Sequence, residues 1–206
     1  MNYKISSFFI DHGFRQKDID KALIYEDICR KKETTRKRLY LDLKMRPNNI
    51  SFAVQELLDS DLIIEDDAIK NLKQGRPEIV IKPNIDKLVS LAVWVESSQL
   101  SVAVIDIYGR IRNKNTSKVP QNVNNVQFLD ILISQIDDLL NQISGRQKIL
   151  GIGLSLPGTV SCVDSKWIFN SRWPNVKNFE CYKLTERYQL PISIHRMLEA
   201  ELEALI

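Results

Sequence analysis

The first part of the chain alternates between amphipathic segments of helical period and short polar breaks. Over residues 19–32 apolar positions return at near-helical spacing, and Asp18 precedes them as a candidate N-cap, which predicts a first helix. Thr34 or Thr35 can cap a second helix over 36–43, which is short and strongly basic. The pattern therefore indicates two consecutive helices of unequal length.

A third helix is predicted to begin at Pro47, after a break at 44–46. Proline is favoured at the first helical position because its missing N–H would have no partner there. Apolar residues recur at i, i+3, i+4, i+7 and i+8, namely Ile50, Ala53, Val54, Leu57 and Leu58. The other faces carry Asn48, Asn49, Ser51, Phe52 and Gln55. One face of this helix should pack, and the others should be free to contact a partner.

A β-hairpin is predicted after the third helix. Apolar runs at 62–65 and 78–82 flank a polar stretch that contains Gly75-Arg76-Pro77, so the hairpin should have a long tip. Helix, short helix, turn, longer helix and hairpin, in this order, form the plan of a winged helix-turn-helix. We therefore assign residues 1–84 to a winged helix-turn-helix DNA-binding domain.

The rest of the chain, residues 85–206, has the pattern of an α/β lobe. Its predicted elements are strands at 88–95, 100–107 and 111–116, a helix at 126–144 ended by Gly145, a strand at 149–156, a helix at 181–188, a strand at 191–195 and a helix at 198–206. The predicted fold class is α/β with an N-terminal winged helix-turn-helix.

Positive charge is concentrated around the second helix, although the formal net charge of the chain is only +3. Within positions 30–46 only Glu33 and Asp42 oppose eight basic residues, which are Arg30, Lys31, Lys32, Arg36, Lys37, Arg38, Lys44 and Arg46. Such a cluster is either an ordinary solvated helix face or a surface for a polyanion. Its place beside the third helix favours the polyanion.

The composition argues against several classes of protein. No apolar run approaches the roughly 18 residues of a membrane span, and the N-terminus does not fit a signal peptide, so we expect a cytoplasmic protein without a membrane partner. Cys29, Cys162 and Cys181 lack C-x-x-C spacing, which argues against a disulfide framework or a zinc site. His12 and His195 have no implied acid partner. We predict no metal and no cofactor.

Several segments resemble the repressor, open reading frame, kinase (ROK) family, which contains bacterial sugar kinases and sugar-responsive repressors. Residues 45–65 are similar to the recognition helix and first wing strand of the repressor branch, and Gly75-Arg76-Pro77 is similar to its wing motif. Residues 149–158, ending in Pro157-Gly158, and residues 190–194 are similar to strand motifs of the family. The resemblance covers nearly the whole chain. It implies that 85–206 form the first lobe of an actin-like, ribonuclease H-like sugar-kinase fold, with the chain truncated after that lobe.

The chain departs from the family's kinases where their chemistry needs particular residues. The turn after the first strand of the lobe lacks the glycines that let phosphate approach the backbone, and it carries Glu96 instead. Arg196-Met197 stands where the resemblance implies an Asn-Asp pair, whose Asp would be the general base, and methionine cannot accept a proton. The family's cysteine-rich zinc motif is absent from the sequence. We therefore predict no catalytic residue.

The helix pattern and the resemblance together predict contacts with double-stranded DNA. Amide side chains can pair with adenine edges, although asparagines near a helix start can instead form local hydrogen bonds. Cations of the second helix and the turn suit phosphates, and an arginine at the wing tip suits a narrow minor groove. The predicted DNA-binding residues are Thr35, Arg36, Arg38, Lys44, Arg46, Asn48, Asn49, Ser51, Gln55 and Arg76.

The lobe is expected to serve dimerisation or sensing. The resemblance implies a sugar or sugar-phosphate effector, with Gly158 and Asn170 as candidate ligand residues. Apolar side chains of the last predicted helix favour a homodimer, and they are Leu198, Leu202, Leu205 and Ile206. The predicted function is a repressor-type, sequence-specific regulator. The alternatives are a sugar kinase and a degenerate family member whose lobe acts only as an interaction module.

Overall fold

The computed structural model describes residues 15–69, 78–143, 145–197 and 200. The chain divides into two compact units, Met1–Lys87 and Leu88–Ile206, and each has a hydrophobic core of its own. Among the helices in the described ranges, none combines the length and the apolar character needed to cross a membrane.

The first unit contains three helices followed by an antiparallel pair of strands. The elements are α1 (Gln16–Lys31), α2 (Arg36–Leu43), α3 (Pro47–Asp59), β1 (Ile63–Ile69) and β2 (Glu78–Pro83). Between α1 and α2, Thr34 forms a two-way backbone bridge with Ile81 of β2. The predicted order of elements is therefore present, and β1 runs four residues past the predicted run at 62–65.

The core of the first unit forms where α1 and α3 pack together. The predicted stripe of α3 is buried at Ile50, Ala53, Val54 and Leu57, and α1 contributes Ile24, Tyr25 and Ile28. The prediction that Asp18 caps α1 is wrong. The helix begins at Gln16 with Arg15 as its N-cap, so Asp18 lies inside the first turn, where the helix dipole favours a carboxylate.

The second unit is built on a five-stranded sheet with a small three-stranded sheet beside it. Its elements are β3 (Leu88–Glu96), β4 (Gln99–Asp106), β5 (Ile111–Lys118), α4 (Asn125–Leu140), β6 (Lys148–Leu156), β7 (Thr159–Ser161), β8 (Lys166–Phe169), β9 (Phe179–Glu180), α5 (Tyr182–Tyr188) and β10 (Ile192–Arg196). The large sheet has the order β10-β6-β3-β4-β5, and β7-β8-β9 form the small one. The first three strands are antiparallel, while β6 and β10 join in parallel.

The core of the second unit lies between the large sheet and α4. Alternate residues of β3, from Val89 to Val95, are buried against the apolar stripe of α4. Phe128 of α4 is at the centre of an aromatic cluster, with its ring centroid 5.3 Å from those of both Trp167 and Phe179. Such edge-to-face packing adds to the stabilisation from burial alone.

Two predictions for this unit are wrong. Helix α4 ends at Leu140, with Asn141 as its C-cap, and so stops before Gly145. Residues 157–180, where the sequence pattern predicts no regular element, contain β7, β8 and β9, which are only 3, 4 and 2 residues long. Strands this short show too few alternations for a sequence pattern to reveal them.

Candidate nucleic-acid interface

The N-terminal half of α3 presents amide side chains away from the core. Asn48, Asn49, Ser51 and Gln55 are all exposed. The N-cap of α3 is Arg46, which makes no side-chain cap hydrogen bond, and neither asparagine caps the helix start. Asn48 makes no side-chain hydrogen bond to a described residue, while the Asn49 amide lies 3.4 Å from Asp20. The Gln55 amide donates to Asp59 at 2.9 Å. Asn48 is therefore the amide of this set that has no side-chain hydrogen bond to a described residue, and all of them face away from the core.

The turn between α2 and α3 carries two exposed cations. Lys44 adopts the left-handed conformation (φ 53°, ψ 30°), and its N–H donates to the Tyr40 carbonyl at 3.1 Å, which ends α2. Arg46 then extends into Pro47 and α3. Within the described ranges neither Lys44 nor Arg46 forms an ion pair. Positive charge thus directly precedes the amide-bearing face of α3.

Thr35 is buried at the start of α2, where its hydroxyl has two partners. The hydroxyl oxygen accepts from the Arg38 N–H at 3.2 Å and the hydroxyl donates to Glu78 at 2.8 Å. The first bond is the N-cap that the sequence predicts. Both hydrogen bonds of the Thr35 hydroxyl are made within the fold. The predicted contact of Thr35 with a phosphate stays a prediction.

Several cations of the basic cluster pair with acids from other elements. Arg36 lies 2.5 Å from Glu65 of β1, and Lys37 lies 3.1 Å from Glu78 of β2. Hydrogen bonds from the Thr35 hydroxyl and the Lys37 ammonium hold the pKa of Glu78 below its ordinary value, so Glu78 stays ionised. Counting charges along 30–46 therefore overestimates the free positive charge of this surface.

Lys31 is likewise engaged inside the unit. Burial disfavours its charge, but hydrogen bonds to Asp27 and Asp42 outweigh that penalty and raise its pKa. Arg30 also pairs with the buried Asp27. Of the predicted phosphate ligands, Arg38 and Lys44 are exposed, whereas Arg36 is half-buried beside Glu65. The exposed cations thus lie along α2 and the turn that follows it.

Replacing Thr35 with alanine is expected to loosen α2 because it removes the cap and the link to Glu78. Loss of a threonine cap costs about 1 kcal/mol, which corresponds to roughly fivefold faster exchange of the amides that the helix protects. Hydrogen–deuterium exchange of the α2 peptide measures this, with Thr35→Ser as the control that keeps the hydroxyl. Equal exchange in the alanine and serine variants would show that the hydroxyl does not hold the helix start.

Gly158 and Asn170, the predicted ligand residues, are neighbours in the second unit. Gly158 has φ +84°, and a Cβ there would lie 2.3 Å from the Phe169 carbonyl oxygen, so only glycine fits. The Asn170 side-chain oxygen accepts from the N–H groups of Arg172 and Trp173 at 3.0 and 2.9 Å. Its amide nitrogen is buried, with no acceptor in the described part of the chain. The pair shapes the turn after β6.

A largely apolar cavity of about 530 Å³ lies beside the β3–β4 turn and the end of β10. Its lining includes Trp94, Glu96, His195 and Met197. Among the described lining residues, Glu96 is the one with a carboxylate. Strands β3 and β4 join through a tight turn at Ser97, which has φ 53°. The described residues hold no group of three or more metal-ligating side chains.

Some predicted residues lie outside the described ones. They are Arg76, His12, and the apolar set Leu198, Leu202, Leu205 and Ile206. One exposed residue of α3 that the predicted interface did not include is Phe52, which lies between Asn48 and Gln55 on the same helix face. The helical period of the sequence places Phe52 outside the apolar stripe of α3, and this position is the sequence signal that indicates an exposed ring.

Comparisons with solved structures define the class of fold. A crystal structure of a ROK family transcriptional regulator, a homologue of the E. coli MLC protein, matches with a TM-score of 0.65 and 20% identity, over 88% of this chain and 46% of that chain. A ROK family protein from Streptococcus pneumoniae TIGR4 in complex with sucrose matches at TM-score 0.42 and 23% identity, over 52% and 34%. A ROK family glucokinase from Streptomyces griseus in complex with glucose and AMPPNP matches with a TM-score of 0.42 and 16% identity, over 52% of this chain and 33% of that chain.

The chain is a mixed α/β protein with the fold of ROK proteins, and the predicted resemblance is confirmed at the level of the fold. The match to the regulator extends through most of this chain, and this chain spans less than half of the regulator's own length. No family model and no curated protein matches the chain.

Proposed function

We propose that the chain is a transcriptional regulator of the ROK family that binds duplex DNA through α3. The observation that carries the proposal is the pair of opposite faces on α3. One face is buried at Ile50, Val54 and Leu57, and the other exposes asparagine and glutamine amides directly after an exposed lysine and arginine. Amides of this kind pair with adenine edges in the major groove, and cations set the register on phosphates.

The arrangement of the first unit supports this use of α3. Helices α2 and α3 with the turn between them correspond to a helix-turn-helix, and β1 and β2 correspond to the wing. In such domains the second helix of the motif enters the major groove while the first lies across the backbone. Arg38 and Lys44 are then the phosphate ligands, and Arg76 belongs to the wing tip.

Selection from a pool of random duplexes with the purified 206-residue chain tests the proposal. We expect a recurrent motif, bound more tightly than arbitrary DNA at near-physiological salt. A chain that enriches no motif would overturn the regulator assignment.

Charge removal separates phosphate contacts from the reading of bases. An Arg38→Ala, Lys44→Ala variant should lose affinity for all duplexes alike, and the slope of log affinity against log salt should fall by about 0.9 for each phosphate ligand removed. The matched control is Lys118→Ala, Arg172→Ala, which removes two exposed cations from the second unit. Identical slopes in the two variants would place the phosphate contacts elsewhere.

The proposal includes that the chain does not phosphorylate sugars. Methionine follows β10 where a base would be needed, and Glu96 would repel phosphate at the β3–β4 turn. We expect no ATP-dependent phosphorylation of hexoses above background. Turnover that disappears in a Glu96→Gln variant would instead favour the kinase alternative.

A sugar or sugar-phosphate effector and a homodimer complete the proposal. The buried Asn170 amide, whose nitrogen has no acceptor in the described part of the chain, offers a donor for a hydroxyl group beside Gly158. A two-fold dimer would match pseudo-palindromic DNA. Sedimentation as a monomer at tens of micromolar would count against the dimer. An affinity for the selected duplex that no added hexose changes would count against the effector.

A further inference from the structure

Phe52 exposes an aromatic ring in the middle of the outward face of α3. The side chain is 58% exposed. It lies four residues after Asn48 and three before Gln55, so these three side chains share one helix face. The opposite face of α3 is buried. The ring is thus part of the surface that the proposed function places in the major groove.

The surroundings of Phe52 on the helix suit a nucleic acid better than an apolar protein surface. Single exposed apolar side chains are common, and a docking patch for a protein requires several together. Within one helical turn of Phe52 lie the amides of Asn48, Asn49 and Gln55 and the carboxylate of Glu56, which pairs with Lys21 at 2.7 Å. Lys44 and Arg46 precede the helix. A single ring flanked mainly by amides, with cations before the helix start, matches the mixed chemistry of a base edge beside phosphates.

We infer that Phe52 packs against the 5-methyl group of a thymine and is a specificity-determining residue, which rests on the proposed function. In the major groove thymine is distinguished by this methyl group, which makes apolar contacts with side chains such as phenylalanine, while adenine offers the N6 and N7 pattern that amides bind.

The spacing along α3 fits this pairing of roles. Four residues of helix advance about 6 Å, which is within two base-pair steps of about 3.4 Å each. Asn48 and Phe52 therefore reach base pairs that lie one to two steps apart, the amide at an adenine and the ring at a thymine. The selected motif should contain an A·T step where these two side chains lie.

Deoxyuridine substitution tests the inference because it removes only the methyl group. The probes are the best duplex from the selection and copies of it in which single thymines are replaced by deoxyuridine. With the wild-type chain we expect a loss of about fourfold in affinity for each contacted methyl group, the value of burying one such group. Deoxyuridine outside the bound segment should have no effect.

Two variants identify the residue that senses the methyl group. Phe52→Ala should bind the thymine and deoxyuridine duplexes equally. Leu41→Ala, which truncates a side chain of α2 that is 59% exposed, should keep the fourfold preference. Hydrogen–deuterium exchange of α3 confirms that Phe52→Ala leaves the helix intact.

The outcomes separate this inference from the proposed function. A wild-type chain that selects a duplex but binds its deoxyuridine copies equally overturns the role of Phe52 and leaves DNA binding in place. That role is equally overturned if Phe52→Ala keeps the preference or leaves every affinity unchanged. A wild-type chain that selects no duplex overturns both.

Discussion

The double variant Asn48→Ala, Asn49→Ala is expected to lose the preference for the selected duplex while weak binding to arbitrary DNA remains. Each bidentate amide–adenine pairing contributes about 1–3 kcal/mol of discrimination, so removing one such pairing should lower affinity for the motif by roughly 5- to 150-fold. The proposed phosphate contacts of Arg38 and Lys44 would remain in this variant, so the sequence-independent part of the affinity should be kept. Competition between the motif and a shuffled duplex measures the change.

The control for this variant removes two exposed asparagines from the second unit, as Asn122→Ala, Asn175→Ala. It should bind the motif like the wild type. Because α3 starts without a side-chain cap, the Asn48 and Asn49 substitutions should also leave thermal stability nearly unchanged. An unaltered motif preference in the double variant would move base reading away from the start of α3.

Truncating Phe128 to alanine is expected to give the largest loss of stability. The ring is 1% exposed and contacts Trp167 and Phe179, so its removal leaves a cavity that rigid aromatic neighbours fill poorly. Buried phenylalanine-to-alanine changes cost about 3–5 kcal/mol. Val126→Ala, which alters a residue of the same helix that is 66% exposed, should change stability by less than about 0.5 kcal/mol.

Tryptophan fluorescence during urea unfolding isolates this effect. All three tryptophans of the sequence, Trp94, Trp167 and Trp173, belong to the second unit, so their emission follows the unfolding of that unit. A loss below about 1 kcal/mol, well under the range for a buried phenylalanine, would mean that the aromatic cluster does not form the packed centre of the lobe.

Helix α3 could be predicted closely because several local signals agree on it. Pro47 fixes its start, and the stripe from Ile50 to Leu57 fixes its buried face, so the exposure of Asn48 and Gln55 followed from periodicity alone. The end of α4 was harder to predict. Ile143 continues the apolar stripe and is half-buried. It lies after the end of the helix, in a turn where its N–H donates to the Leu140 carbonyl. Periodicity therefore extends past the helix.

The electrostatics of the candidate interface could not be predicted from neighbouring residues. Arg36 meets Glu65, which is 29 positions away, and Lys37 meets Glu78, which is 41 positions away. Only the tertiary packing of α2 against the strands brings these charges together. The N-cap role of Thr35 could be predicted because it depends on the local sequence. Its hydrogen bond to Glu78 could not be predicted because Glu78 is distant in the sequence.

The carboxylates of Glu65 and Glu78 occupy positions beside Arg36 and Lys37 that phosphates would otherwise take. A duplex that approaches this side of α2 has to exchange one anionic partner for another, so these two cations release fewer counterions on binding. If the chain binds DNA as proposed, its affinity for arbitrary sequence would be lowered as a result, while the proposed amide contacts of α3 would not be affected. Because this cost is the same at every site, it would lower the overall affinity without changing the ratio of affinities between sites, and discrimination would rest on the side chains of α3.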